Sequence, residues 1–181
     1  MEIRSNRIYL IGYMGSGKTT VGRSLAEKLN FRFIDMDYFI ENRQHKTINE
    51  IFSEKGEETF RLLENKTLKE VSTFENVVIS TGGGAPCFFD NIEIMNNTGF
   101  TVYLKVSPEE IAKRLNVNKN NRPLLKDKTP HEMLTFISEN LEKRESYYNQ
   151  AKLIFDAEQM LTNTDVDNIV DNLMSHLLQN K

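Results

Sequence analysis

Gly12-Tyr13-Met14-Gly15-Ser16-Gly17-Lys18-Thr19 fits the phosphate-loop pattern G-x-x-x-x-G-K-[ST] at every fixed position, and its flanks decide the fold. Ile8 to Ile11 is a short apolar run with the composition of a buried strand. From Lys18 to Leu29 the residues Val21, Leu25, Ala26 and Leu29 recur along one helical face. Strand, glycine loop and helix in that order make a cradle: backbone N–H groups turn inward around a phosphate, and the helix N-terminus adds unpaired donors. Gly15, Ser16, Gly17 and Thr20 lie along that cradle, and Lys18 brings a full positive charge to the outer phosphates. Thr19 offers a hydroxyl to a phosphate-bound magnesium ion, which takes oxygen ligands and keeps several waters.

With 181 residues, the chain is expected to form one domain, residues 1–181. Its 39% hydrophobic and 27% charged residues suit a globular protein. A net charge of −3 argues against the broad basic face that duplex nucleic acid requires, so no nucleic-acid partner is expected. No apolar run is long enough to span a bilayer and the first residues hold no apolar signal segment, so no membrane partner and a cytoplasmic location are expected. Cys87 is the single cysteine, and His45, His131 and His176 lack metal-ligand spacing.

Phe31 to Asp35 reads as a second strand running into Met36 and Asp37, which sets two carboxylates at a strand's carboxyl end. That edge is where open α/β sheets bind ligands. Thr47-Ile48-Asn49-Glu50 is a capping box that predicts a helix through Phe52, broken at Gly56 and followed from Glu57 by a longer helix. Val77 to Ser80 reads as a central strand ending in Thr81-Gly82-Gly83-Gly84, where three adjacent glycines predict close backbone approach to a ligand. Phe100 to Val106 is the fourth strand. Ser107, Pro108 and Glu110 then predict a capped helix running towards Leu115 and carrying Arg114. The polar, asparagine-rich stretch 116–128 predicts a mobile loop, and Thr129 to Glu132 caps a helix that reaches Asn149. Leu153 to Phe155 is the fifth strand, and Asp165 is read as the cap of a final helix. Five strands alternating with helices predict an α/β fold with a parallel sheet.

Taken together, Gly12 to Thr19, Phe33-Ile34-Asp35-Met36-Asp37, Phe60-Arg61-Leu62-Leu63-Glu64, Ser80-Thr81-Gly82-Gly83-Gly84 and Arg122-Pro123-Leu124-Leu125 resemble, in order and spacing, the shikimate kinase family. The resemblance covers nearly the whole chain. It implies a three-layer P-loop kinase fold, shared with nucleoside monophosphate kinases, whose five-stranded parallel sheet has the order 2-3-1-4-5. It also implies a helical substrate-binding insert over 36–75 and a mobile lid over 116–128. The implied reaction moves the γ-phosphoryl group of ATP to the 3-hydroxyl of shikimate, on the route to chorismate and the aromatic amino acids. ATP and Mg2+ are the implied cofactors, shikimate the partner, and a monomer the expected state.

By the same resemblance, Asp37 acts as base or orienter of the attacking hydroxyl, and Asp35 holds magnesium with Thr19, directly or through water. Arg61 and Arg144 take the acceptor's carboxylate through forked hydrogen bonds. Gly82, Gly83 and Gly84 bring backbone donors near the acceptor, and Phe52 and Phe60 wall its pocket. Arg122 swings onto the phosphates with Lys18, and Arg114 resembles the position that stacks over adenine. Met160 to Thr164 departs from the family pattern, lacking the arginine and proline often found in the adenine-contacting loop. Two rival readings are a gluconate-type or nucleoside monophosphate kinase on the same scaffold, and a nucleotide-binding regulator that has lost turnover. Intact Lys18, Asp37, Arg61 and Arg122 weigh against the second.

Overall fold

The apolar run that feeds the glycine loop is the middle strand of a five-stranded parallel sheet. The structure, a computed structural model, describes residues 2–3, 5–117, 128–160 and 162–179. Its strands are β1 (Glu2–Ile3), β2 (Arg7–Ile11), β3 (Arg32–Asp35), β4 (Val77–Ser80), β5 (Phe100–Lys105), β6 (Leu153–Asp156) and β7 (Leu178–Gln179). Its helices are α1 (Lys18–Leu29), α2 (Met36–Gln44), α3 (Ile48–Val71), α4 (Asn91–Thr98), α5 (Pro108–Val117), α6 (Pro130–Tyr148) and α7 (Asn163–Leu177).

The sheet order is β3-β4-β2-β5-β6, all pairs parallel, which is the order 2-3-1-4-5 of its own five strands. Every side chain from Ile8 to Ile11 and from Val77 to Ser80 is buried, so both faces of the central strands are covered, as parallel sheets require. The edge strands β3 and β6 are only partly buried. α1 packs on β2, β3, β4 and α7, while α4 lies against β5 and α3. In the ladder, Asp35 pairs with Ser80 and Ser80 with Leu10, so β3, β4 and the strand before the glycine loop end on one edge.

Two apolar clusters hold the described residues together. The large one follows the sheet; the small one joins Ile40 of α2 to Ile51 and Phe60 of α3, flanked by Ile48, Phe52 and Leu63. The predicted break at Gly56 is a kink within α3, where φ is 77° and the chain continues as helix beyond.

Several local expectations are corrected. β3 begins at Arg32 and, as expected, ends at Asp35, but Met36 and Asp37 open α2: the Asp35 side chain accepts hydrogen bonds from the backbone N–H of Asp37 (3.2 Å) and Tyr38 (3.4 Å) and caps that helix. The extended backbone of an N-cap lets Asp35 end the strand and cap the helix at once. Ser107 caps α5, but Glu158 rather than Glu110 returns the bond to its backbone N–H, at 2.8 Å; Glu110 pairs with Arg114 and Lys113 instead. Thr162, not Asp165, is the N-cap of α7, and Asp165 closes that capping box from its third position. α5 takes in Asn116 and Val117, the first residues of the expected lid, and 118–127 lie outside the described residues. Helix α4 and the antiparallel pairing of β1 with β7 were not anticipated from the sequence.

Candidate active site

At the carboxyl edge of the sheet a cleft of ≈ 360 Å³ is lined by the phosphate loop, Asp35, Asp37, Thr81, Arg114 and Met160, among others. The glycine loop takes its shape from backbone angles open to few other residues: φ is 81° at Gly15 and 93° at Gly17. Ser16 is fully buried, and its hydroxyl has no hydrogen-bond partner among the described residues. Lys18 is buried too, its ammonium donating to the carbonyls of Gly12 and Tyr13, each at 2.9 Å. The Thr19 hydroxyl donates to Asp35 Oδ2 at 2.8 Å, which brings the two expected magnesium ligands together, and Thr20 lies on the same wall.

Asp37 sits in the first turn of α2 and lines this cleft. Burial raises its pKa above the usual carboxylate value; the negative charges of Asp35 and Glu41 add to that, and Lys18 and Arg61 oppose it. A carboxylate so placed holds a proton more readily than a solvated one.

The side expected to take the acceptor is built from α3 and the triple glycine. Arg61 donates from Nη1 to Glu64 Oε2 (2.9 Å) and from Nε and Nη2 to Glu57 Oε1 (3.2 and 3.1 Å). Glu64 is 0% exposed, its Oε1 has no hydrogen-bond partner among the described residues, and burial pushes its carboxyl up to about 7 despite Arg61 and Arg144, with Asp37 adding to the rise. The same two arginines act on the Cys87 thiol, which burial pushes up to about 11, so Arg61 and Arg144 face one neighbourhood. Arg144 stands over the ring of Tyr13 at 5.2 Å. Phe60 is buried and Phe52 half-buried, their centroids 4.6 Å apart, and both belong to the small apolar cluster.

The three glycines meet three close approaches by the protein itself. A Cβ on Gly82 would come within 2.5 Å of Glu64 Oε1 and 2.9 Å of Asp37 Oδ1; on Gly83, 3.2 Å from the Met14 nitrogen; on Gly84, 2.8 Å from both terminal nitrogens of Arg61. Tyr148 fixes the stretch by donating its hydroxyl to the Gly83 carbonyl at 2.6 Å.

Arg114 is pinned: its Nε donates to Glu110 at 2.9 Å, and Nη2 donates to the carbonyls of Ala157 (3.0 Å) and Glu158 (2.7 Å). Met160 follows in the same connection, and its methyl would meet a Cβ on Gly17 at 2.0 Å. Arg122 lies outside the described residues.

Glu57, Tyr148 and Met160 reach the site without belonging to any of its sequence motifs, and Glu64 closes the Phe60–Glu64 motif with no role evident from sequence. The spacing of Glu57, Arg61 and Glu64, four and three residues apart on one helix, was the available signal for two of them. Tyr148 and Met160 reach the site from distant segments and left no local pattern.

A phosphate loop at the carboxyl edge, a buried carboxylate beside it and guanidinium groups near that carboxylate are the parts of a P-loop kinase with a small-molecule acceptor. A family model described as shikimate kinase matches residues 14–174. The chain is 57% identical over 171 residues to the shikimate kinase of Parabacteroides distasonis, covering 94% of this chain and 99% of that one. A crystal structure of shikimate kinase from Bacteroides thetaiotaomicron superposes with a TM-score of 0.92 at 51% identity, covering 94% of this chain and 97% of that one. One from Acinetobacter baumannii in complex with shikimate superposes at 0.82 and 36% identity, covering 97% of each. A deoxyadenosine kinase from M. mycoides, at TM-score 0.54 and 19% identity, shares the fold. The chain belongs to the shikimate kinase family.

Proposed function

We propose that the protein transfers the γ-phosphoryl group of ATP to the 3-hydroxyl of shikimate, giving shikimate 3-phosphate and ADP. The observation that carries this reading is the position of Asp37: its Oδ1 and Glu64 Oε1 converge on Gly82, while Lys18 acts on it from the phosphate loop. It thus stands between the phosphate side and the acceptor side.

Each group then has a task. The phosphate loop and Lys18 hold the outer phosphates, and Arg114 supports the nucleotide end. Arg61 and Arg144 take the acceptor's carboxylate, Phe52 and Phe60 wall the ring, and Gly82 to Gly84, whose missing side chains leave room for Glu64, Asp37 and Arg61, bring backbone donors near the acceptor. Asp37, its proton affinity raised by burial, orients the attacking hydroxyl and receives its proton. Arg122 completes the charge on the phosphates, a role that rests on sequence. Thr19 and Asp35 offer oxygens only, as Mg2+ prefers, and no cluster of three His, Cys, Asp or Glu competes among the described residues. When bound with the nucleotide, that ion neutralises developing phosphate charge.

The test is ADP release from ATP and Mg2+ with shikimate, gluconate or a nucleoside monophosphate as acceptor. Turnover with shikimate alone is expected. Preference for either other acceptor returns one rival reading, and tight ATP binding without turnover on any returns the regulator. Action as a cytoplasmic monomer belongs to the same proposal; size-exclusion chromatography tests the oligomeric part.

A further inference from the structure

The geometry assigns Phe88 as a positioning residue for Arg61, an aromatic platform that fixes the plane of the guanidinium group and thereby sets acceptor affinity. The inference rests on the reading of Arg61 as the carboxylate clamp. The guanidinium carbon stands over the Phe88 ring at 4.2 Å, nearer than over Phe60 (5.2 Å) or Phe52 (5.8 Å). Those two rings have an apolar reason for their places, since they belong to the small cluster of α2 and α3. Phe88 is half-buried, yet among the described residues it packs into neither apolar cluster. Its partner is the cation.

The backbone beside it is held in an unusual state. Phe89 has a φ of 51°, a left-handed conformation that aromatic residues rarely adopt, and the residue is 56% exposed, so its packing offers little compensation. The turn is fixed from α3. Asn65 donates to Asn91 Oδ1 at 2.7 Å and to Asp90 Oδ1 at 3.1 Å, while the fully buried Asn91 donates to the Ala85 carbonyl at 2.7 Å and through its backbone N–H to the Phe88 carbonyl at 3.3 Å. Asn65 follows Arg61 by four residues, so both project from one face of α3. One helical turn therefore anchors the loop, and the turn before it carries the cation beneath the loop's ring.

A ring over one face of a guanidinium leaves its edges free for in-plane hydrogen bonds while removing water from the face. Glu64 occupies the Nη1 edge, and the Nε and Nη2 edge points at Glu57. With Gly84 close to both terminal nitrogens, Arg61 has little freedom to tilt, and its fork is presented in one plane.

The test is the steady-state kinetics of Phe88→Leu and Phe88→Tyr beside Arg61→Lys. Phe88→Leu keeps apolar bulk and loses the ring; its KM for shikimate should rise roughly 3- to 30-fold, the range of a partly desolvated cation–π contact, with kcat and the KM for ATP unchanged. Phe88→Tyr should restore the wild-type value. Tyrosine as poor as leucine would mean that shape rather than the ring matters, which overturns the proposal. A fall in kcat and rise in both KM values together with a lowered melting temperature would reduce Phe88 to a folding role and also overturn it. If Arg61→Lys raises the KM for shikimate while Phe88→Leu does not, the clamp stands and the ring has no part in it. If Arg61→Lys changes nothing, the clamp reading itself fails, and this inference with it.

Discussion

The two sides of the cleft are made of different materials. The phosphate side is backbone: a buried strand, glycines at positive φ and the N-terminus of α1, all seated on the main core. The proposed acceptor side is side-chain charge: Arg61 held between Glu57 and Glu64, Arg144 near them, over a small apolar cluster of its own. Backbone donors keep their charge and place at any pH, whereas a site built from buried carboxylates and guanidinium groups depends on protonation and on which carboxylate is paired with which cation. The phosphate side is expected to respond to mutation chiefly in turnover and the acceptor side chiefly in affinity, with Asp37 at the border.

The sharpest way to break that contrast is at Lys18. Its loss removes two hydrogen bonds to the carbonyls of Gly12 and Tyr13 and the charge against the outer phosphates, while the turns at Gly15 and Gly17, set by backbone angles of 81° and 93°, stay. Lys18→Ala is expected to lower kcat by at least about two to three orders of magnitude with an unchanged circular-dichroism spectrum. Near-normal turnover in the folded variant would show that the backbone cradle suffices alone.

At the border, Asp37→Asn should lower kcat by roughly two to four orders of magnitude, the range for a positioned acid–base group. The amide still accepts a hydrogen bond from the hydroxyl, so calorimetric shikimate binding should persist. Lost binding with normal kcat at saturation would move Asp37 wholly to the acceptor side.

The difference in material also explains what could be read in advance. A phosphate loop is a local pattern because its chemistry is local, and Lys18 to Leu29 forms the predicted helix residue for residue. The central strands were legible too, since a short apolar run leading into glycines has few alternatives, whereas the sheet order came with the family resemblance. At Asp35 the strand ends as expected, but its run into Met36 and Asp37 hid the helix that Asp35 caps. The acceptor side was legible only through family resemblance: Arg61 and Arg144 lie far apart in the chain, and alone each reads as a surface charge. The triple glycine was read as making room for a ligand, and its neighbours prove to be Glu64, Asp37, the phosphate loop and Arg61.

Glu64 offers a test of the acceptor side that needs no substrate. Its carboxyl is raised to about 7 in the folded protein, first by burial, from an ordinary value of 4.5. Between those values the folded state holds a proton that the unfolded state has released, so the contribution of this residue to stability falls as pH rises through the window. The slope approaches about 1.4 kcal/mol per pH unit. Glu64→Gln cannot titrate and its amide oxygen still accepts from Arg61. Urea melts at pH 5 and pH 8 should show the variant gaining on the wild type at the higher value; a constant difference would mean that Glu64 is charged throughout and the site is wetter than its burial implies.

The smallest effect expected sharpens the comparison most finely, because it concerns a carboxylate competing for the fork. Glu57 Oε1 accepts from both Nε and Nη2 of Arg61, the edge suited to a planar acid, and its side chain is 59% exposed. An acceptor carboxylate using that edge must first displace it. An exposed ion pair is worth little, so Glu57→Gln should lower the KM for shikimate only about two- to fivefold, leaving kcat and the KM for ATP as they are. The effect should shrink at high salt, which screens an exposed pair far more than the buried Arg61–Glu64 contact. A KM that rises instead would give Glu57 the opposite part, that of a strut keeping Arg61 in place, and the acceptor side would then be as pre-set as the phosphate loop.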